Sequence, residues 1–379
     1  MSGRIPEGWR ECKLGDVAEI VGGGTPKTNV IEYWNGEIPW ITPRDLSNFN
    51  GRFISKGERN ISEKGLINSS ARILPKGTIL LSTRAPVGYL AIAENQMTTN
   101  QGFRSLIPFK NTDNIFLFYL LKNNVEYLKS QATGTTFGEL SGSVLGSLIF
   151  PFPPLPEQHA IASVIGSLDD KIDLLNRENQ TLEQMAEAIF RQWFIEEADE
   201  EWEEKTLGTL FEISSGKGLK KEQLNENGIY SVLGANGIIG RTDNFLYDEK
   251  LIYTGRVGTL GSIFIVENEK VWLSDNTLVI KPHKYFYSVY FILKYSKLEE
   301  YNVGSTQPLI RQSDIKGIGF VLPSELIMKK FEMTAEVLFS KIRANNSQIH
   351  TLEKLRDTLL PKLMSGEVRV KFTDLEVQR

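Results

Sequence analysis

The sequence predicts an α+β protein, internally duplicated, with two globular parts and two long helices paired as a coiled coil. Three observations carry this. A heptad seam runs through residues 153–194, a copy of that seam recurs 170 residues later, and a Trp-x4-Leu-Gly motif opens each globular part.

The seam comes first. From Pro153 to Phe194 the chain opens on prolines and then avoids them. Apolar residues fall at Ile161, Ile165, Leu168, Ile172, Leu175, Leu182, Ala186, Ile189 and Trp193, in steps of three and four, with Asn179 in the one gap. Such an a/d pattern over more than four heptads is that of a coiled-coil helix, in which a single Asn often sets register. Ile161 to Trp193 would span roughly 50 Å at 1.5 Å per residue. At the offset of 170, Ile161, Ile165, Leu168, Ile172, Leu182, Ile189 and Trp193 map onto Phe331, Ala335, Leu338, Ile342, Leu352, Leu359 and Leu363. Leu175 maps onto Asn345, so the second seam has its own polar interruption. Pro361 should end or kink the second helix, because proline removes a hydrogen bond and clashes one turn back.

The globular parts repeat more loosely. Trp9-x4-Leu14-Gly15 recurs as Trp202-x4-Leu207-Gly208, each followed by a short alternating run and a Gly-rich turn, Gly22-Gly23-Gly24 and Ser215-Gly216-Lys217-Gly218. Thr83-Arg84-x-x-Val87-Gly88 lines up loosely with Thr254-Gly255-Arg256-Val257-Gly258. The opening motif repeats at 193 and Gly88 at 170, so the first copy holds 193 − 170 = 23 extra residues between them. Residues 73–81, 251–253, 261–266 and 276–280 read as strands, and 116–128 and 285–298 as helices. Each half ends in a polar loop, 132–138 and 303–308, and a strand into the long helix. A barrel-like or curved sheet is the expected result. The expected division is 1–152, first globular domain; 153–200, first helix; 201–322, second globular domain; 323–379, second helix and tail.

Composition sets further limits. The net charge is −4, but acid is concentrated in residues 153–205, with 14 Asp+Glu against 4 Lys+Arg. The globular parts are neutral to slightly basic, which permits a nucleic-acid partner, since a local basic face is what matters. No apolar run reaches 18 residues, the N-terminus has no signal-peptide core, and lone Cys12 excludes internal disulfides and Cys-based zinc sites. These features fit a cytoplasmic protein.

Pro-Leu-Pro-Glu-Gln at 154–158, the heptads behind it, Leu-Leu-Pro-Lys-Leu-Met-Ser-Gly at 359–366, the Trp-x4-Leu-Gly openings and the Gly-Thr-Thr and Gly-Ser-Thr-Gln loops resemble the specificity subunit of type I restriction–modification enzymes. The resemblance covers essentially the whole chain. The second helix start departs from it, reading Leu322-Pro323-Ser324-Glu325-Leu326. What it implies is a pair of target-recognition domains, each binding half of a split duplex DNA site, held by an antiparallel coiled coil. Two modification (methyltransferase) subunits would dock on this frame, and a restriction subunit can join them. No cofactor is implied for this chain. S-adenosylmethionine, ATP and magnesium are expected on the partners. A 50 Å helix equals about 15 base pairs, an upper limit on half-site separation, and the diverged halves predict an asymmetric target.

The residues themselves agree. No phosphate-binding loop, dinucleotide fingerprint or amino-methyltransferase motif is present, and His159, His283 and His350 lack ligand spacing. The chain is expected to be a non-catalytic reader. Base edges are read by Arg, Lys, Asn and Gln, and phosphates are held by these, Ser, Thr and loop amides. The candidates are Thr25, Lys27, Arg44, Arg84, Gln101, Thr135 and Thr136 in the first half. In the second they are Lys217, Lys220, Arg241, Arg256, Asn276, Ser305 and Gln307. The glycines at 22–24 could offer amides to a phosphate or form a plain turn. Glu157, Gln158, Phe194, Leu363 and Met364, at the helix ends, are the candidate partner contacts, the apolar ones alternatively coiled-coil core. A competing reading is a coiled-coil protein-interaction scaffold without DNA binding.

Overall fold

A computed structural model describes residues 5–84, 86–133 and 138–370. The helices of ten residues or more are α1 (Asn114–Asn123), α2 (Leu155–Arg191), α3 (Phe286–Tyr295) and α4 (Glu325–Ser365). The chain forms two compact units, residues 1–176 with 347–379, and residues 177–346. Each long helix therefore contributes one half to each unit.

The strands of the first unit are β1 (Arg10–Lys13), β2 (Ala18–Gly22), β3 (Trp34–Ile41), β4 (Phe53–Ile54), β5 (Arg59–Ile61), β6 (Ile79–Thr83), β7 (Val87–Ala93), β8 (Thr98–Thr99), β9 (Arg104–Pro108) and β10 (Ile149–Phe152). They form a five-stranded sheet β2-β9-β6-β7-β4, a three-stranded sheet β5-β3-β8, and the ribbon β1-β10. The second unit has β11 (Glu203–Thr206), β12 (Phe211–Ser215), β13 (Tyr230–Gly234), β14 (Gly237–Thr242), β15 (Leu251–Gly255), β16 (Ile263–Val266), β17 (Val271–Leu273), β18 (Thr277–Pro282) and β19 (Gly319–Leu322). Its sheets are β12-β18-β15-β16 and β14-β13-β17, with the ribbon β11-β19. Strand for strand this is the first unit without β4. Where a barrel-like or curved sheet is expected, each unit has two larger sheets and a two-stranded ribbon. Much of the first copy's extra length lies between β3 and β5, where a helix, Pro43–Leu46, and β4 stand against a two-residue turn between β13 and β14.

The motifs that announced the repeat are packing devices. Leu14 and Leu207 are both fully buried, and their amides donate to Leu148 and Ile318 carbonyls at 3.0 and 2.9 Å. Those bonds seat each opening beside the ribbon strand that feeds a long helix. α1 starts on Asp113, whose carboxylate accepts from the Phe116 amide at 2.7 Å. α3 uses Glu332 of α4 instead, which accepts from the Tyr287 and Ser288 amides at 3.0 and 3.2 Å. The expected helix 116–128 breaks at Asn124, whose side chain donates back to the Leu120 carbonyl at 2.7 Å.

In the first unit Ile172 and Leu175 of α2 pack on Ile349 and Leu352 of α4, and Asp169 accepts from Arg356 at 2.8 Å. In the second, Asn345 donates to Asn179 at 2.9 Å and Asn179 to Asn346 at 2.7 Å. The polar interruptions of the two seams thus meet each other. In both units, advancing along α2 meets residues retreating along α4, so each pairing is antiparallel. Of the two outcomes expected at Pro361, an end or a kink, the end is excluded. α4 runs on to Ser365 because Leu360, Leu363 and Met364 are buried in the first unit's core, and that burial offsets the lost hydrogen bond. Gly366, at φ +71°, then ends it. The alternating run 367–372, which reads as a strand or simply extended, shows no strand within the described residues; Lys371 and Phe372 lie outside them.

Candidate nucleic-acid interface

In the first unit the Gly-rich turn after β2 is pressed onto the β8–β9 connection. The Gly24 amide donates to the Thr99 carbonyl at 2.9 Å, and Trp40 Nε1 donates to the Gly24 carbonyl at 2.9 Å. A side chain at Gly23 would collide with the Asn100 carbonyl. Gly24 is therefore a packed turn whose amide is taken, not a phosphate cradle. The turn delivers Thr25, which donates to Gln101, itself at the start of the β8–β9 bend. Asn100 Oδ1 fixes that bend by accepting from the Gly102 amide at 2.9 Å.

Opposite stands the short helix Pro43–Leu46, capped by Asp45, which accepts from the Thr42 amide at 2.7 Å and the Glu58 amide at 2.7 Å. It presents Arg44, 85% exposed, 3.8 Å from Glu58. Thr42, Pro43, Arg44, Arg84, Asn100, Gln101 and Gly102 line one open cleft of about 410 Å³. So Thr25, Arg44, Arg84 and Gln101 converge, as a base-reading face requires. Lys27 is exposed on the turn, and its carbonyl holds Trp34 Nε1 at 3.2 Å. Thr135 and Thr136 lie outside the described residues.

The second unit repeats the scaffold. The Lys217 amide donates to the Leu273 carbonyl at 2.9 Å, and Trp272 Nε1 donates to the Lys217 carbonyl at 2.7 Å. Lys217 keeps its side chain exposed. The Arg256 guanidinium reaches the Ser215 hydroxyl at 3.4 Å, and the Gln312 amide lies 3.1 Å from the same hydroxyl. Exposed Asn276 accepts from the Arg256 amide at 2.8 Å. Exposed Ser305 and Gln307 sit on a loop that Asn302 closes by accepting from the Gly304 and Leu309 amides at 2.9 Å each. Arg241 is not part of this group, since it donates to the Gly228 and Ile229 carbonyls at 3.1 and 3.4 Å and holds a loop. Lys220 is exposed beside the 3-10 turn Lys221–Gln223.

Backbone bonding also corrects the alignment of the two arginines. Thr83 donates to Gly102 at 2.8 Å and accepts from Leu140 at 3.0 Å. Arg256 makes the same two bonds, to Asn276 at 2.8 Å and from Ile310 at 3.0 Å. Arg256 therefore stands where Thr83 does, and Val257 where Arg84 does. Sequence reasoning also missed Arg104, Glu139 and Gln312. Arg104 lies beside Gly22 and Gly142, the positions matching Ser215 and Gln312. Only side-chain room at two distant glycines marks it, and no spacing in the sequence reveals that.

A family model described as the type I restriction modification DNA specificity domain matches residues 6–184 and 199–349. The chain belongs to this family of specificity subunits. It is 38% identical to the type I restriction enzyme MjaIX specificity subunit of Methanocaldococcus jannaschii over 97% of this chain and 95% of that one. The MjaVIII specificity subunit of the same organism is 25% identical over 97% and 95%. The crystal structure of the type I restriction-modification system S subunit from M. genitalium shares the fold, with a TM-score of 0.60 and 21% identity over 99% and 98% of the two chains. The specificity subunit is thus the non-catalytic, DNA-specifying member of a type I system, built as two recognition domains and two long antiparallel helices. Among its described residues no cluster of His, Cys, Asp and Glu could hold a metal, and no helix is long and apolar enough to cross a membrane.

The helix-end residues of the specificity subunit are mostly turned inward. Glu157 is 1% exposed and accepts from Trp9 Nε1 at 3.1 Å and from Arg369 at 2.6 and 2.9 Å. Gln158, 3% exposed, accepts from the Asp113 amide at 3.0 Å and donates to the Pro153 carbonyl at 3.0 Å. Leu363 and Met364 are core. These four, expected as partner contacts, are occupied within the chain. The variant second start follows from this, because Ile327 and buried Met328 replace the Glu-Gln pair and Ser324 starts the helix. Half-buried Phe194 stacks on Phe190 at 4.4 Å and meets Phe331 edge-on.

Proposed function

We propose that this specificity subunit reads a bipartite, asymmetric duplex DNA site, one half with residues 1–152 and the other with residues 201–322. The observation that carries the reading is the repeated turn. Each unit holds its Gly-rich turn by the same backbone bonds and surrounds it with different polar side chains, Arg44, Arg84, Gln101 and Thr25 in one, Arg256, Asn276, Lys217 and Gln312 in the other. Same frame and different donors means two half-sites of different sequence. Residues 153–200 and 323–379 form the frame on which two modification subunits dock, Phe194 among the contacts, and a restriction subunit can join. S-adenosylmethionine, ATP and magnesium belong to those partners. The assembly works in the cytoplasm, where the chromosome is.

The test is a map of N6-methyladenine in cells carrying the modification subunit, with and without this chain. A split motif with unlike halves, present only with the chain, is expected. Identical halves would overturn the asymmetry. No new motif from a stable complex would favour an interaction scaffold.

A further inference from the structure

Glu139 joins two cations of the first reading face. Its backbone forms bridges to Arg84 and to Thr133; its amide donates to the Thr133 carbonyl at 2.9 Å and its carbonyl accepts from the Thr133 amide at 3.2 Å. The residue is pinned by backbone alone. Its carboxylate accepts from Arg104 Nη2 at 3.2 Å and stands 4.0 Å from Arg84 Nη1. Arg104 is anchored, 24% exposed, with Nη1 donating to the Phe103 carbonyl at 3.0 Å. Arg84 is 54% exposed and lines the cleft. A guanidinium carries five N–H donors, and among the described residues Arg84 makes one long side-chain contact, to Glu139, which leaves most of its fork for a ligand. Such a fork is what reads guanine O6 and N7 in the major groove.

We propose that Glu139 is a positioning residue for base specificity. It orients Arg84 so that the guanidinium reads one guanine in the half-site bound by the first unit. This rests on the reading of the cleft as a DNA face. The carboxylate does two things there. It draws one edge of the Arg84 fork toward a fixed point, and it repels phosphates, so Arg84 is biased from the backbone toward base edges. Two guanidinium groups against one carboxylate still leave the lip net positive. An ion pair this exposed contributes little to stability, so changing it leaves the fold intact. The second unit has Leu309 at the matching bridge, opposite Val257, and so no such pair.

The experiment uses the full chain in complex with its modification subunit and a library of random-sequence DNA duplexes, sequenced after selection. Glu139→Gln keeps the Arg104 hydrogen bond but removes the charge. Arg84→Lys keeps the charge but removes the fork. Both variants should flatten preference at the same single G·C pair, roughly tenfold or more, with the other half-site unchanged. Glu139→Gln should also hold or raise affinity for non-specific duplex. If Arg84→Lys flattens that position and Glu139→Gln does not, Glu139 has no positioning role and the cleft survives as a DNA face. If Arg84→Ala alters neither motif nor affinity, both the inference and the placement of the face fall.

Discussion

In the first unit Trp40 of β3 donates its indole N–H to the turn at Gly24, while in the second Trp272 of β17 donates to Lys217 at the same place. The two strands involved are parallel neighbours in each unit. Trp40 faces Thr98 across the pair, and Val232 faces Trp272. The tryptophan has moved one strand sideways, and its hydrogen bond has stayed. The same logic holds beside the cleft, where Arg104 fills room left by two glycines and Gln312 and Ser215 fill the matching positions directly. Duplicated domains keep the bond that shapes the backbone and exchange the residue that supplies it.

The sharpest break of this comparison is at the exchanged tryptophans. Trp40 is 5% exposed and packs edge-on against Trp34 at 5.0 Å. Trp40→Val should cost roughly 3 kcal/mol, at the lower end for large-to-small core changes, seen as a lower denaturation midpoint. Adding Thr98→Trp, which copies the second unit, should recover more than half of it. No recovery would mean that the two indoles are not interchangeable supports.

The helix pairings offer a smaller contrast, since the polar Asn179–Asn345 interruption lies in the second unit while Leu175 packs among apolar residues in the first. Asn345, 1% exposed, donates to Glu178 at 3.0 Å as well as to Asn179. Asn345→Leu should destabilise by about 1 kcal/mol, the net worth of a lost hydrogen bond, since its acceptors Glu178 and Asn179 are only half-buried and can turn to water. Leu175→Asn in the first unit, by contrast, buries a polar group among Ile172, Ile349 and Leu352 and should cost at least as much. Equal stability of wild type and Asn345→Leu in urea titrations would show the Asn pair to be dispensable.

The smallest effect is in pH dependence, where burial of a lysine in the first unit and of glutamates in the second act with opposite sign. In the first, burial lowers the pKa of Lys122, against the pull of Asp169. The unfolded chain holds that proton up to 10.5 while the folded one releases it earlier, so this group's contribution rises with pH below 10.5. In the second, burial raises Glu332, despite amide bonds from Ser288 and Tyr287, and burial also raises Glu183 and Glu269. There the folded state keeps protons above pH 4.5, so the contribution falls as pH climbs past that value. Lys122→Met should flatten the alkaline slope of Tm, and Glu332→Gln the acidic one. Slopes that do not change on these substitutions would remove the groups from the pH response.

Much of the fold was legible because it rests on periodicity. A heptad seam states a buried stripe directly, and two seams offset by 170 residues state a pair of helices. The Trp-x4-Leu-Gly repeat was likewise readable, since a buried Leu in each copy makes the same bond to a ribbon strand. Individual site residues were less so. Arg44, Arg84 and Gln101 were chosen by chemistry and share a cleft, with Thr25 bonded to Gln101 beside it, but Arg241 had equal chemistry and braces a loop instead.

What the sequence determined by itself was the plan, two α+β domains and two helices of one family, because hydrophobic period and duplication are properties of order along the chain. Only the tertiary structure decided which atoms remain for a partner. Glu157 and Gln158 stand in a family motif yet are consumed by Trp9, Arg369 and the Asp113 amide, and Pro361 lies inside a helix that burial carries past it. Arg84 and Arg256 look alike in sequence and differ by one residue in register. Each of these outcomes depends on which groups, distant in sequence, compete for one hydrogen bond or one buried volume, and no local pattern encodes that competition.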